Sequence, residues 1–367
     1  MNKFFRILAL SGVAISSAYG AENSAGWSAL KSEVTGLFTT QNVPGMSAAV
    51  VSQGKIVWKY EAGFVDESRA VPVTIDTPFW IASITKPFVG LAYLHLASAG
   101  KVNLNELASS TPDFSDTCNW LKGTSIPFAK GMKCDAAITI DHILHHQING
   151  TPGSEFMYNP IMYSRLSRHL EYTLAGTIKG MKGYHNQLAQ AIDKYVLAPA
   201  GMNDTMASMF DPSKTSVYQR MSDGFKVSDD EKKTKLAQPS KYIAGGAGMV
   251  STIRDLAKFE NALYTKSILP APVDQEFNKQ PAFSDGSDAP YGYGWYFQTI
   301  KGHTVMWHSG WDPENGFSGV IVRIPEKALA FVALANSEGI WWHNSLVKGE
   351  IEKSPIAKAF ISEALAR

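Results

Sequence analysis

Pro78-Phe79-Trp80-Ile81-Ala82-Ser83-Ile84-Thr85-Lys86-Pro87-Phe88-Val89-Gly90-Leu91 is the stretch on which the reading of this chain turns. Apolar residues flank a serine and a lysine three positions apart, at a helix start where that spacing puts both side chains on one face. Each can then reach the other's proton, as in an activated serine. The apolar flanks carry both groups inward, where an unpaired ammonium is costly, so Lys86 needs a partner or a lowered pKa. The tetrapeptide alone decides nothing: S-x-x-K begins at Ser28, Ser52, Ser83, Ser98 and Ser345. In isolation it is more often a helix N-cap serine with a snorkelling lysine. Ser28 and Ser345 open polar helical stretches, Ser52 begins a turn between strands, and Ser98 sits at a helix end stopped by Gly100. Only Ser83 lies between apolar runs.

The first twenty residues read as an export signal. Lys3 and Arg6 precede the apolar run Ile7 to Ile15, and Ala18-Tyr19-Gly20 offers small residues where a signal peptidase cuts, after Gly20. The run is too short to span a membrane and no cysteine follows to take a lipid. The expected protein is therefore residues 21–367, periplasmic or secreted, without a stable membrane anchor. Losing Lys3 and Arg6 takes the 34 basic residues to 32 against 33 acidic ones, a balance that does not suggest nucleic acid or an anionic membrane as a partner. The two cysteines, Cys118 and Cys134, flank a polar segment, and an oxidising compartment favours their pairing.

With 45% hydrophobic residues the chain can bury a large core. Period-two patterns predict a hairpin, Met46 to Ser52 and Lys55 to Tyr60, after a helix from about Trp27 to Thr39. Four more strands are predicted at Gly292–Thr299, His303–His308, Phe317–Ile324 and Leu329–Ala335, then a helix from about Asn344 to Leu365. The middle is mostly helical, and the charged stretch Ser222 to Lys241 is expected to be flexible. The fold class is α/β of the α+β kind, an antiparallel sheet built from both termini and flanked by helices. A sheet lobe would comprise about 21–82 and 265–367, with a helical lobe of about 83–264 inserted.

Pro44-Gly45-Met46, Gly63-Phe64-Val65-Asp66, Thr77 to Lys86, Ile138-Thr139-Ile140-Asp141-His142-Ile143-Leu144, Ala198-Pro199-Ala200-Gly201-Met202 and Ala244-Gly245-Gly246 come in one order. In that order the chain resembles the class C β-lactamase-like serine hydrolases over nearly all of its mature length. That group holds β-lactamases, D-alanyl-D-alanine carboxypeptidases, D-amino-acid amidases and β-lactamase-like carboxylesterases. The resemblance implies a β-lactamase/transpeptidase-like fold, with Ser83 as nucleophile and Lys86 helping to deprotonate it. The family's second motif, Tyr-x-Asn, follows a Pro-Gly, which Pro152-Gly153-Ser154-Glu155-Phe156-Met157-Tyr158 supplies. Tyr158 is then the proton-transfer partner, its phenol expected to ionise more readily beside a lysine. Pro160 replaces the motif's Asn, and the nearest amide is Asn159. A literal Tyr184-His185-Asn186 also occurs, without the Pro-Gly lead-in. The third motif, usually Lys-Thr-Gly, is matched by Trp307-His308-Ser309-Gly310-Trp311. Here His308, Ser309, Gly310 and Asn159 would face the substrate, and the amides of Ser83 and Trp311 would form the oxyanion hole.

Asp141-His142-Ile143-Leu144-His145-His146 invites a metal reading, but it lacks a glutamate base between the histidines and a clear third ligand. No metal or cofactor is expected. Histidine in the third motif and proline in the second both lean toward a small-molecule carboxylic ester as substrate. A β-lactam or D-amino-acid peptide is the alternative, and a catalytically silent penicillin-binding-like protein is a second one.

Overall fold

The computed structural model describes residues 26–178, 186–239, 243–344 and 348–367. Seven strands from the two ends of the chain pair antiparallel in the order β2-β1-β11-β10-β9-β8-β7. They are β1 (Gly45–Ser52), β2 (Lys55–Gly63), β7 (Tyr291–Gly292), β8 (Trp295–Ile300), β9 (His303–Asp312), β10 (Phe317–Ile324) and β11 (Leu329–Ala335). Two-stranded pairs join β3 (Phe79–Trp80) to β6 (Val250–Ser251) and β4 (Phe225–Val227) to β5 (Lys233–Lys235).

Both faces of the sheet are covered, so its middle strands need no polar face, and every residue of β10 and β11 is buried. Successive strand residues point to opposite sides. Phe331 therefore stacks on Phe360 of the helix Pro355–Leu365, whereas its neighbour Ala330 packs with Ala257 of the helix Ile253–Tyr264. The helix Ser28–Thr40 lies beside Pro355–Leu365, where Trp27 stacks on the same Phe360. The helix Thr85–Ser98 is buried nearly all round, as a helix must be when it has apolar residues on every side.

Three local expectations are corrected. The run Gly292–Thr299 is not one strand: Tyr293 and Gly294 both take positive φ (48° and 93°) and turn the chain between β7 and β8. That turn rests on the serine-bearing helix, because a Cβ on Gly294 would lie 2.3 Å from the Lys86 carbonyl carbon. The C-terminal helix starts at Pro355, capped by Ser354, rather than near Asn344. The stretch expected to be flexible contains β4 and β5, tied down where Phe225 N donates to Asn336 O (2.9 Å) and Asn315 Nδ2 to Ala237 O (2.9 Å). The export signal, the cut after Gly20, Tyr184, His185 and Ser345 lie outside the described residues. Among the described residues no helix is long and apolar enough to cross a membrane.

Candidate active site

Ser83 stands in a short turn, Ala82–Ile84, that feeds the helix Thr85–Ser98. Ala82 takes φ +47°, a left-handed conformation that costs a non-glycine residue about 1–3 kcal/mol. Its neighbours hold it there: Ile81 N donates to Met249 O (3.1 Å), and Trp80 pairs with Val250. On the sheet side Gly310 packs so close that a Cβ would lie 2.4 Å from Ile81 O. Strained backbone and close approach together present Ser83, which is partly exposed, between the helix and β9.

Two side chains converge on its hydroxyl. Lys86 Nζ lies 2.9 Å from Ser83 Oγ, and Tyr158 Oη donates to the same oxygen at 3.1 Å. Lys86 is fully buried and also donates to Gly246 O at 2.8 Å. Burial pushes its amine well below the usual lysine range, the outcome expected of an ammonium with no carboxylate beside it. A neutral amine can accept the serine proton. The expectation for Tyr158 is reversed: burial raises its phenol, outweighing the bond to Ser83. Tyr158 is therefore a protonated donor at neutral pH.

The remaining candidates separate. Asn159, expected to face substrate, is fully buried; its Oδ1 accepts from Met162 N (3.1 Å), capping the helix Pro160–Tyr163, and its Nδ2 donates to Phe128 O (3.2 Å). The carbonyl it needs lies in the segment bounded by Cys118 and Cys134, which are joined in a disulfide. His308 is buried too. Its Nδ1 must donate to Ser309 O (2.6 Å), since a carbonyl only accepts, which leaves Nε2 to accept from Tyr291 Oη (3.0 Å). Burial and the nearby Lys86 push its pKa well down, so the ring is neutral. Expected to meet substrate, it has both nitrogens bonded within the protein and its ring centroid 6.0 Å from that of Tyr158. Ser309 is buried, while Trp311 is 39% exposed, stacks on Trp341 at 4.9 Å and donates its indole N–H to Glu338.

The histidines at 142, 145 and 146 do not converge. His142 Nδ1 accepts from Thr139 N, His145 bonds Asp141, and His146 Nδ1 accepts from Asn159 N. Among the described residues no cluster of three or more metal-ligating side chains occurs. Of the second-motif alternative only Asn186 is described, and it caps the helix Gln187–Ile192 by accepting from Leu188 N. Sequence reasoning missed the Gly246 carbonyl and Tyr291. Gly246 was in view only as part of an ordered glycine run, since a backbone acceptor leaves no residue-type signal.

Comparison with known proteins bears on the family and the fold. Penicillin-binding protein 4* of Bacillus subtilis is 23% identical over 323 residues, 78% of this chain and 66% of its own length, so the chain matches only part of that relative. The octameric penicillin-binding protein homologue from Pyrococcus abyssi superposes with a TM-score of 0.66 at 21% identity, covering 91% of this chain and 76% of that one. EstCE1, described as a hydrolase with promiscuous acyltransferase activity, gives 0.61 at 18% identity over 90% and 98%. The family model described as Beta-lactamase matches residues 30–340, and the chain belongs to that family.

Proposed function

We propose that this protein is an exported serine hydrolase that cleaves a carboxylic ester through an acyl-enzyme on Ser83. The observation that carries the reading is the double contact on one hydroxyl, with Lys86 at 2.9 Å and Tyr158 at 3.1 Å. Ser83 Oγ attacks the carbonyl carbon as its proton passes to the neutral Lys86 amine. The amides of Ser83 and Trp311 take the charge on the carbonyl oxygen. When the tetrahedral intermediate collapses, Tyr158 protonates the departing alkoxide and recovers its proton from Lys86. Water then attacks the acyl-enzyme, giving up a proton along the same path, and the acid leaves as Ser83 Oγ is reprotonated.

An uncharged or weakly polar substrate is favoured because the third-motif group, His308, is a neutral imidazole. Pro160 has no side-chain amide to offer an acylamino group. The Cys118–Cys134 disulfide supports export, since such bonds persist in oxidising compartments. A second reading has an observation of its own: β9 runs to Asp312, past the Tyr296–Trp307 pair where β8 pairing ends, and an extended acylamino substrate could lie along that stretch. On this reading the substrate is a β-lactam or a D-amino-acid peptide.

One panel tests all of this: p-nitrophenyl butyrate, nitrocefin and a D-Ala-D-Ala peptide, with fluorophosphonate labelling of wild type and Ser83→Ala. The ester should turn over fastest at pH 7, and labelling should vanish in the variant. Faster nitrocefin turnover would make the second reading the right one. No labelling of wild type would leave a non-catalytic penicillin-binding-like protein.

A further inference from the structure

His146 stands out among the buried titratable groups that the proposed chemistry does not use. We infer that His146 is a positioning residue for Tyr158, gripping the backbone on both sides of the tyrosine and covering one face of its ring. This rests on the reading of Tyr158 as the proton-transfer group.

The grip is visible bond by bond. Met157 N donates to His146 O at 2.9 Å, and Asn159 N donates to His146 Nδ1 at 3.0 Å, so the residues before and after Tyr158 are both tied to His146. The ring of His146 lies 4.5 Å from that of Tyr158, with Tyr163 at 4.9 Å and Tyr291 at 4.7 Å around it. A tyrosine held at both backbone neighbours and packed on its ring has little freedom to swing its hydroxyl away from Ser83. General acid catalysis needs that restriction, because proton transfer depends on heavy-atom distances of about 2.6–3.2 Å.

The grip works only with a neutral ring. Nδ1 accepts the Asn159 N–H, so the single proton sits on Nε2, and a second proton would turn the acceptor into a donor facing a donor. Full burial opposes that second proton and pushes the pKa of the ring well down. His146 also holds φ +54°, an uncommon conformation for a residue other than glycine or asparagine. Nε2 has no hydrogen-bond partner among the described residues, so the ring's bonding within them goes to Asn159 alone. The Met157 bond falls to the backbone carbonyl and the packing to the ring, but a merely space-filling side chain does not account for the bond from Asn159 N to Nδ1.

The test is a double-mutant cycle in ester turnover, with His146→Gly chosen because glycine adopts φ +54° without strain. His146→Gly should lower kcat by about 10–100-fold with KM little changed, the size of effect that small misplacements of catalytic groups produce. His146→Asn tolerates the same backbone and offers an oxygen to the Asn159 N–H, so it should recover most of the loss. In a Tyr158→Phe background His146→Gly should change kcat by less than about twofold, since the group it positions is gone. An equal loss in both backgrounds would overturn the inference and make His146 a packing residue. Should His146→Gly fail to fold, His146→Ala, which also lacks an acceptor for the Asn159 N–H, carried through the same two backgrounds decides: a kcat loss of severalfold that disappears beside Tyr158→Phe supports the inference, and a loss that persists, or none at all, overturns it. Tyr158→Phe alone separates the two readings: if it leaves kcat unchanged, the role of Tyr158 falls, and the positioning role with it.

Discussion

Lys86 and His308 are both fully buried, both pushed toward the neutral form, and both lie beside the ring of Tyr158, one on the helix Thr85–Ser98 and the other on β9. They differ in where their bonding capacity goes. The amine of Lys86 reaches Ser83 Oγ as well as Gly246 O, whereas the imidazole of His308 uses both nitrogens on Tyr291 and the adjoining Ser309 carbonyl. Burial and a shifted pKa therefore do not by themselves mark a reacting group. Contact with the atom that reacts does. On the proposed mechanism the helix side carries the chemistry, and β9 contributes shape through the close approach of Gly310 to Ile81 O.

The largest break in this comparison is Lys86→Met. It should lower ester kcat/KM by on the order of 10⁴-fold, the scale seen when members of such catalytic sets are removed. Stability should move the other way. Burial lowers the pKa of Lys86 below its ordinary value, so between the two values the unfolded chain holds a proton that the folded chain lacks, and stability rises with pH across that window. Methionine removes this cost, so thermal melting at pH 7 should show a gain of about 1 kcal/mol and a flatter dependence on pH. A variant both inactive and less stable would mean that the amine's bond to Gly246 outweighs its desolvation.

Tyr158→Phe comes next, with an expected loss of about 10²–10⁴-fold in kcat. Phenylalanine keeps the ring between His146 and Tyr296 and removes only the bond to Ser83. Because burial raises the phenol's pKa, wild-type turnover should show no limb from tyrosine ionisation between pH 6 and 9. The acid limb should instead follow protonation of Lys86, with activity rising as pH rises. A near-wild-type Tyr158→Phe enzyme would move the proton path elsewhere.

What could be read from the chain beforehand follows from how local each signal is. Ser83 and Lys86 sit one helical turn apart between apolar runs, β2 follows from alternating apolar and polar residues, and β1, β10 and β11 from largely apolar segments. The start of the last helix was misplaced at about Asn344, although Ser354-Pro355 carries the signal of an N-cap followed by proline at the first helical position. The direction taken by Asn159 was not. It depends on the Phe128 carbonyl, 31 residues away and inside the segment closed by the disulfide. Likewise the two partners of His308 become visible only once β7 and β9 are in one sheet. The β4–β5 pair is anchored to residues far along the chain, where Phe225 N donates to Asn336 O and Asn315 Nδ2 donates to Ala237 O.

Gly310→Ala tests the claim that β9 contributes shape. The added Cβ would meet Ile81 O at 2.4 Å, a backbone atom two residues before Ser83 that cannot give way cheaply. Overpacking of this kind costs about 1–3 kcal/mol, part of it felt as displacement of the strained turn that presents the nucleophile. Turnover should fall by about 10–100-fold. Unchanged kcat with only a lower melting temperature would show that the turn tolerates the shift.

The smallest effect is expected at His308, and its smallness is the point. His308→Gln keeps an acceptor for Tyr291 and gives up the donation to Ser309 O, a neutral hydrogen bond worth about 1 kcal/mol. Ester kcat/KM should drop by less than about tenfold, with KM for a carboxylate-bearing β-lactam unmoved, because a neutral ring engaged on both nitrogens has no charge to lend. His308→Lys should do worse than His308→Gln, since it buries a second amine beside Lys86 and loses the acceptor for Tyr291. If His308→Gln instead raised KM selectively for carboxylate-bearing substrates, the imidazole would be meeting the substrate directly, and β9 would share the chemistry with the helix.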